Sequence, residues 1–70
     1  MPGSFSFISL NGKKVIVKIY NTEIYINDVH ITREQLAEVD NYTVKDIVMS
    51  EDQFSYMVCY ISSQLNFVPA

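Results

Sequence analysis

Hydrophobic and polar positions alternate through the first half of the chain, the period of two that belongs to strands with one buried face. Ser4-Phe5-Ser6-Phe7-Ile8-Ser9-Leu10 and Lys13-Lys14-Val15-Ile16-Val17-Lys18-Ile19-Tyr20 are rich in β-branched and aromatic residues, and they flank Asn11-Gly12, a strong hairpin signal. In the second segment Val15, Val17 and Ile19 share one face, while Lys14, Ile16, Lys18 and Tyr20 share the other. A third strand, Glu23 to Ile26, follows a turn at Asn21-Thr22, and Asn27-Asp28 opens a short return through Val29-His30-Ile31.

The period then changes. Thr32 followed three residues later by Gln35 fits a capping box, and Leu36 and Val39 can bury one face of a short helix over residues 33–39 that ends around Asp40-Asn41. Residues 42–49 return to strand composition. Ser50-Glu51-Asp52-Gln53 has two readings. As a hairpin loop it lets residues 42–49 pair with 54–61, and Phe-Ser-Tyr-Met-Val-Cys-Tyr-Ile has strand composition, so the hairpin is the expectation. As a second capping box it starts a helix over residues 51–65, with Phe54, Met57, Val58, Ile61 and Leu65 on one face.

The pattern therefore predicts an α+β, mostly β, single domain: a small antiparallel sheet of four to six short strands, curled or barrel-like, with one short helix. The alternative is an N-terminal β-meander packed by a C-terminal helix. Phe7, Val15, Val17, Ile19, Ile24, Ile26, Leu36, Val48, Val58 and Ile61 are the expected core. In a chain of 70 residues such a core is thin, and self-association is the usual supplement where disulfides and metals are missing. The one cysteine, Cys59, lies in an apolar run and reads as an inert core thiol of a reduced, cytoplasmic protein. With a single histidine, His30, no zinc set exists, and no metal or cofactor is expected. Met1-Pro2-Gly3-Ser4 has neither the basic start nor the apolar stretch of a secretory signal, and no run of residues is long and apolar enough for a membrane span, so no membrane association is expected.

Charge adds the most to this picture. Residues 1–22 hold Lys13, Lys14 and Lys18 and no acid, residues 23–52 hold all eight acids with Arg33 and Lys45, and residues 53–70 hold no charge. A charge-free stretch in so small a protein belongs in a core or an interface, so Phe54, Tyr56, Tyr60, Leu65 and Phe67 are candidates for homodimerisation. The net charge of −3 argues against a reader of duplex DNA.

Catalytic chemistry finds little support. His30 is the only imidazole available as a base, alternation aims it away from Val29 and Ile31, and Gly12 is explained by its turn rather than by a phosphate loop. Glu34 and Glu38 are one turn apart on a solvated helix face, and Glu51-Asp52 suit a loop or a first helical turn.

Binding fits better. Five tyrosines exceed what a thin core buries easily, and the acids can steer a basic protein partner, which nominates Tyr20, Tyr25, Glu34, Glu38, Asp40, Glu51 and Asp52 as a partner surface. The alternative is a small β-barrel that binds RNA or single-stranded DNA through Lys13, Lys14 and Lys18 beside the tyrosines. A short chain rich in Ile, Asn and Tyr and poor in Gly also resembles the accessory products of phages and other mobile elements. That resemblance implies a small inhibitor or regulatory adaptor acting on a protein of the host cytoplasm.

Overall fold

A computed structural model describes residues 3–66. Four strands, β1 (Ser4–Ile8), β2 (Lys14–Tyr20), β3 (Glu23–Ile26) and β4 (Val29–Ile31), form an antiparallel meander in the order β1-β2-β3-β4. Tight turns hold this register. Asn21, Thr22, Asn27 and Asp28 all have positive φ, the geometry of two-residue hairpin turns whose twist matches that of the strands. The β1–β2 connection is longer: Gly12 N–H reaches Ser9 C=O at 3.0 Å and Gly12 adopts φ 79°, the left-handed step that closes a three-residue loop.

Asn27 extends the sheet beyond its last regular pair. Its Oδ1 accepts from Ile16 N–H at 2.8 Å and its Nδ2 donates to Lys14 C=O at 3.2 Å, so the side-chain amide stands where another strand residue would be.

Helix α1 (Arg33–Ala37) starts on the Thr32–Gln35 capping box expected from the sequence, and the strand pair β5 (Thr43–Val44) and β6 (Ile47–Val48) follows. Helix α2 (Glu51–Leu65) then crosses the sheet. This overturns the expected pairing of residues 42–49 with 54–61. Ser50 and Gln53 complete the second capping box in both directions, at 3.0 and 3.1 Å, and Met57 and Ile61 are fully buried. The physical reason lies in the meander, whose inner face of Val15, Val17, Ile19, Ile24, Ile26 and Ile31 is buried and must be covered by another layer. A helix with an apolar stripe supplies that layer, so packing overrides the strand propensity of residues 54–61.

The result is the α+β, mostly β fold, with β1 and β4 at the edges of an open sheet. Val44, Ile47, Met49 and Leu36 complete the core beside α2. Several side chains differ from expectation. Val48 is exposed, because in a two-residue strand paired Thr43 to Val48 its neighbour Ile47 takes the inward position. Phe7 and Val58 are half-buried at the border of the core, and Cys59 is exposed, because it lies on the helix face opposite to Met57 and Ile61.

Candidate functional site

Because α2 covers one side of the meander, the other side faces outward with the residues that alternation assigns to it. Ser4, Lys18, Tyr25 and His30 form one row across all four strands, and Tyr20 pairs with Glu23 at its margin. Tyr20 is 62% exposed. Gly3, Ser4, Lys18, Tyr20, Tyr25 and Asp28 line an open groove of about 470 Å³ on this face.

Polar contacts order the groove. Tyr25 stacks at a tilt on His30, with ring centroids 5.4 Å apart, and its hydroxyl donates to Glu23 Oε2 at 2.9 Å. That hydrogen bond, which ionisation would destroy, holds the Tyr25 hydroxyl above its ordinary titration range, helped by slight desolvation and by the Glu23 charge. Lys18 Nζ lies 3.6 Å from Asp28 Oδ1. The floor is thus aromatic, and charges of both signs stand around it.

The sequence candidates fall into separate places. Tyr20 and Tyr25 meet on the open face. Glu38 and Asp40 border a different groove, of about 410 Å³, with Gln35, Val39 and Lys45. Glu34 lies in the first turn of α1, and Glu51 and Asp52 lie in the first turn of α2, where each complements the helix dipole. Of the lysines, Lys14 and Lys18 belong to the open face, whereas Lys13 sits in the β1–β2 loop and pairs with Asp46 at 3.0 Å.

The self-association candidates are also divided. Phe54, Tyr60 and Leu65 are half-buried against the core, Phe54 additionally against Tyr42, and only Tyr56 stands out, 68% exposed. Phe67 lies outside the described residues. Asp28 lines the groove and His30 stacks on Tyr25 beside it, although the sequence did not nominate either. Their signal was available: Tyr25 pairs with His30 across the Asn27-Asp28 turn, so the hairpin that places Tyr25 outward places His30 outward as well.

Among the described residues no group of three or more His, Cys, Asp or Glu side chains is placed to hold a metal ion, and no helix is long and apolar enough to cross a membrane. The chain matches no protein-family model, no curated protein and no solved structure.

Proposed function

We propose that this protein is a non-catalytic binding module that engages a protein partner through the open face of its sheet, in the manner of a small inhibitor or regulatory adaptor. The observation that carries this reading is the one-sided cover of the meander, which leaves Tyr20 and Tyr25 beside the same groove. Tyrosine offers a large amphipathic contact at low conformational cost, and a groove fringed by Lys18, Asp28 and Glu23 suits a partner with charges of both signs. The acids of α1 and α2 lie on other elements and contribute long-range attraction to a basic partner rather than contact.

The test is affinity capture with the full chain, followed by titration of the purified partner against Tyr20→Ala and Tyr25→Ala. Each substitution should weaken binding by about tenfold or more, as a central interface tyrosine does, while the far-UV circular dichroism is unchanged. Undiminished binding by both variants rejects the open face as the contact surface.

A second reading is favoured by one specific observation: Lys18, Tyr20 and Tyr25 share the face of a four-stranded sheet, the mixture of cation and aromatic platform that single-stranded nucleic acid uses. Against it, Lys18 is engaged by Asp28, and Glu23 stands beside Tyr25 where a phosphate would be repelled. Fluorescence anisotropy with labelled oligo-uridine and oligo-thymidine at low salt separates the two. Salt-sensitive binding would install the nucleic-acid reading, and a flat titration would remove it.

A further inference from the structure

The outer edge of β1 carries backbone groups that no strand meets. Ile19 N–H donates to Gly3 C=O at 3.0 Å and Ser9 N–H donates to Lys13 C=O at 2.9 Å, which fixes the phase of the β1–β2 ladder. Phe5 and Phe7 therefore aim their N–H and C=O groups at β2, and Ser4, Ser6 and Ile8 aim theirs away from it. Among the described residues β2 is the only strand beside β1, and Ser4, Ser6 and Ile8 are all exposed. One outward group is taken: Ile8 C=O accepts from Gln53 Nε2 at 2.7 Å.

Natural sheet edges are usually guarded by lysine, proline, a bulge or a covering element. Ser-Phe-Ser-Phe-Ile has neither lysine nor proline, and its ladder with β2 runs without a bulge. Residues 53–65 of α2, which flank β1 on the inner side, hold no charge either. Phe5 stacks on Phe7 at 5.7 Å and meets Tyr56 at 5.5 Å and Tyr60 at 4.8 Å, so an aromatic cluster runs beside the edge and the exposed Tyr56 belongs to it. β1 and the inner side beside it carry no charge, and the nearest charges, Lys18 opposite Ser4 and Lys14 opposite Ile8, stand one strand in on the open face, so two copies can meet edge to edge without like charges in contact.

We propose that the chain forms a two-fold symmetric dimer in which β1 pairs antiparallel with β1 of a second copy, so that the two meanders join into one continuous sheet. The segment is self-complementary about Ser6. A two-fold axis there sets Ser6 against Ser6 of the second copy, Phe5 against its Phe7, and Ser4 against its Ile8. The outward N–H and C=O of Ser6, and the Ile8 N–H with the Ser4 C=O of the other copy, then make roughly four ladder hydrogen bonds. The Ser4 N–H meets an Ile8 C=O whose other lone pair serves Gln53. Phe5 and Phe7 of both copies form one aromatic row with Tyr56 beside it. β1 itself carries no charged side chain, and its Ser-Phe-Ser-Phe-Ile pattern is self-complementary about Ser6, which favours a second copy as its occupant. The inference stands independently of the open-face reading, since the edge groups lie in the plane of the sheet.

The test is sedimentation equilibrium of the full chain from micromolar to millimolar concentration, with Ser6→Lys, Ser6→Glu and their mixture. The wild-type chain should show a monomer–dimer equilibrium. Each variant alone should dimerise about tenfold or more weakly, because like charges meet across the axis. Mixing the two should restore a heterodimer, seen as the mixed mass by native mass spectrometry. If Ser6→Lys alters the far-UV circular dichroism, Ser6→Pro decides the same point, since it deletes an outward N–H and no bond of the β1–β2 ladder. A wild-type chain that stays monomeric to millimolar concentration overturns the proposal, as does a dimer indifferent to these variants or a mixture that fails to recover.

Discussion

The side-chain amide of Asn11 holds the backbone of Val48, whose N–H donates to Asn11 Oδ1 at 3.2 Å. The same amide donates through Nδ2 to Asp46 C=O at 2.8 Å, and its Oδ1 also accepts from the Ser9 hydroxyl at 2.6 Å. With the backbone bond from Leu10 N–H to Val48 C=O at 2.9 Å, these contacts dock the β5–β6 hairpin onto the β1–β2 loop. The hairpin is otherwise secured by Val44, Ile47 and the neighbouring Met49, which its docking keeps buried.

Asn11→Ala removes every one of those side-chain bonds. A loss of about 1–2 kcal/mol is expected, the worth of one or two partly exposed hydrogen bonds. Asn11→Asp keeps the acceptor for Val48 N–H and loses the donor to Asp46 C=O, so it should fall between the wild type and Asn11→Ala in urea unfolding. An Asn11→Ala protein as stable as the wild type would show that Leu10 and the buried side chains hold the hairpin unaided.

Thr22 has φ 64° in the β2–β3 turn, a conformation that costs a β-branched residue and suits glycine. Its neighbour Asn21, at φ 54°, already occupies the first turn position in the way an Asn-Gly turn prefers. Thr22→Gly should therefore stabilise the protein, by about 0.5–1 kcal/mol once the greater freedom of glycine in the unfolded chain is set against the relief of strain. Thermal unfolding followed by circular dichroism should show a midpoint higher by a few degrees, since about 1 kcal/mol shifts a domain of this size by roughly 4–8 °C. A lowered midpoint would place the balance with unfolded-state entropy.

The same turns show how far the sequence can be read. The positions of β1 to β4, their two tight turns and the helix at Arg33 follow from local rules, because alternation, Asn-rich turns and the Thr32–Gln35 box all act within a few residues. The turn at Lys45-Asp46 that splits residues 42–49 into β5 and β6 was not read. Residues 50–65 satisfied two local rules at once. Strand propensity favoured the hairpin at Phe54, Tyr56, Val58 and Tyr60, and the helical spacing of Met57 and Ile61 favoured α2. Only the demand of Val15, Val17 and Ile26 for a cover decides between them, and that demand belongs to the assembled sheet. The open face was legible through Lys14, Ile16, Lys18 and Tyr20, which share a side of β2. The roles of Asn11 and Asn27 were not, since each amide bonds a segment brought near by folding.

Asp46 supplies a pH prediction. Lys13 Nζ lies 3.0 Å from its Oδ2 and, chiefly through that hydrogen bond, holds the carboxyl below its ordinary value of 3.8, with a bond from the Asp46 backbone helping. A carboxyl whose folded value is depressed contributes stability that is fully present above the unfolded value and is lost as pH falls through the folded one. Asp46 is largely exposed and Lys13 partly so, so the contribution is small and screened by salt. Lys13→Met should move the Asp46 titration, followed by the NMR shift of its carboxyl carbon, back toward the ordinary range, and molar salt should move the wild type the same way. An Asp46 titration unmoved by Lys13→Met would assign the shift to the backbone.

Tyr60 and Gly3 form the most sharply testable pair in the core's border. The Tyr60 hydroxyl is buried with no hydrogen-bond partner among the described residues, and a Cβ placed on Gly3 would run into it and approach Gln64 Oε1 to 3.1 Å. Burying an unsatisfied hydroxyl costs about 1–3 kcal/mol, so Tyr60→Phe should raise stability by about 1 kcal/mol while leaving the ring against Phe5. Gly3→Ala alone should destabilise by about 1–3 kcal/mol, because a crowded border resists an added methyl group. In the Tyr60→Phe background the obstructing oxygen is gone and Gln64 can swing its flexible end aside, so most of that cost should vanish. The double-mutant cycle, read from urea unfolding, should give a coupling of about 1 kcal/mol or more between the two positions. Equal costs for Gly3→Ala in both backgrounds would assign the crowding to Gln64 and leave the Tyr60 hydroxyl without a structural role.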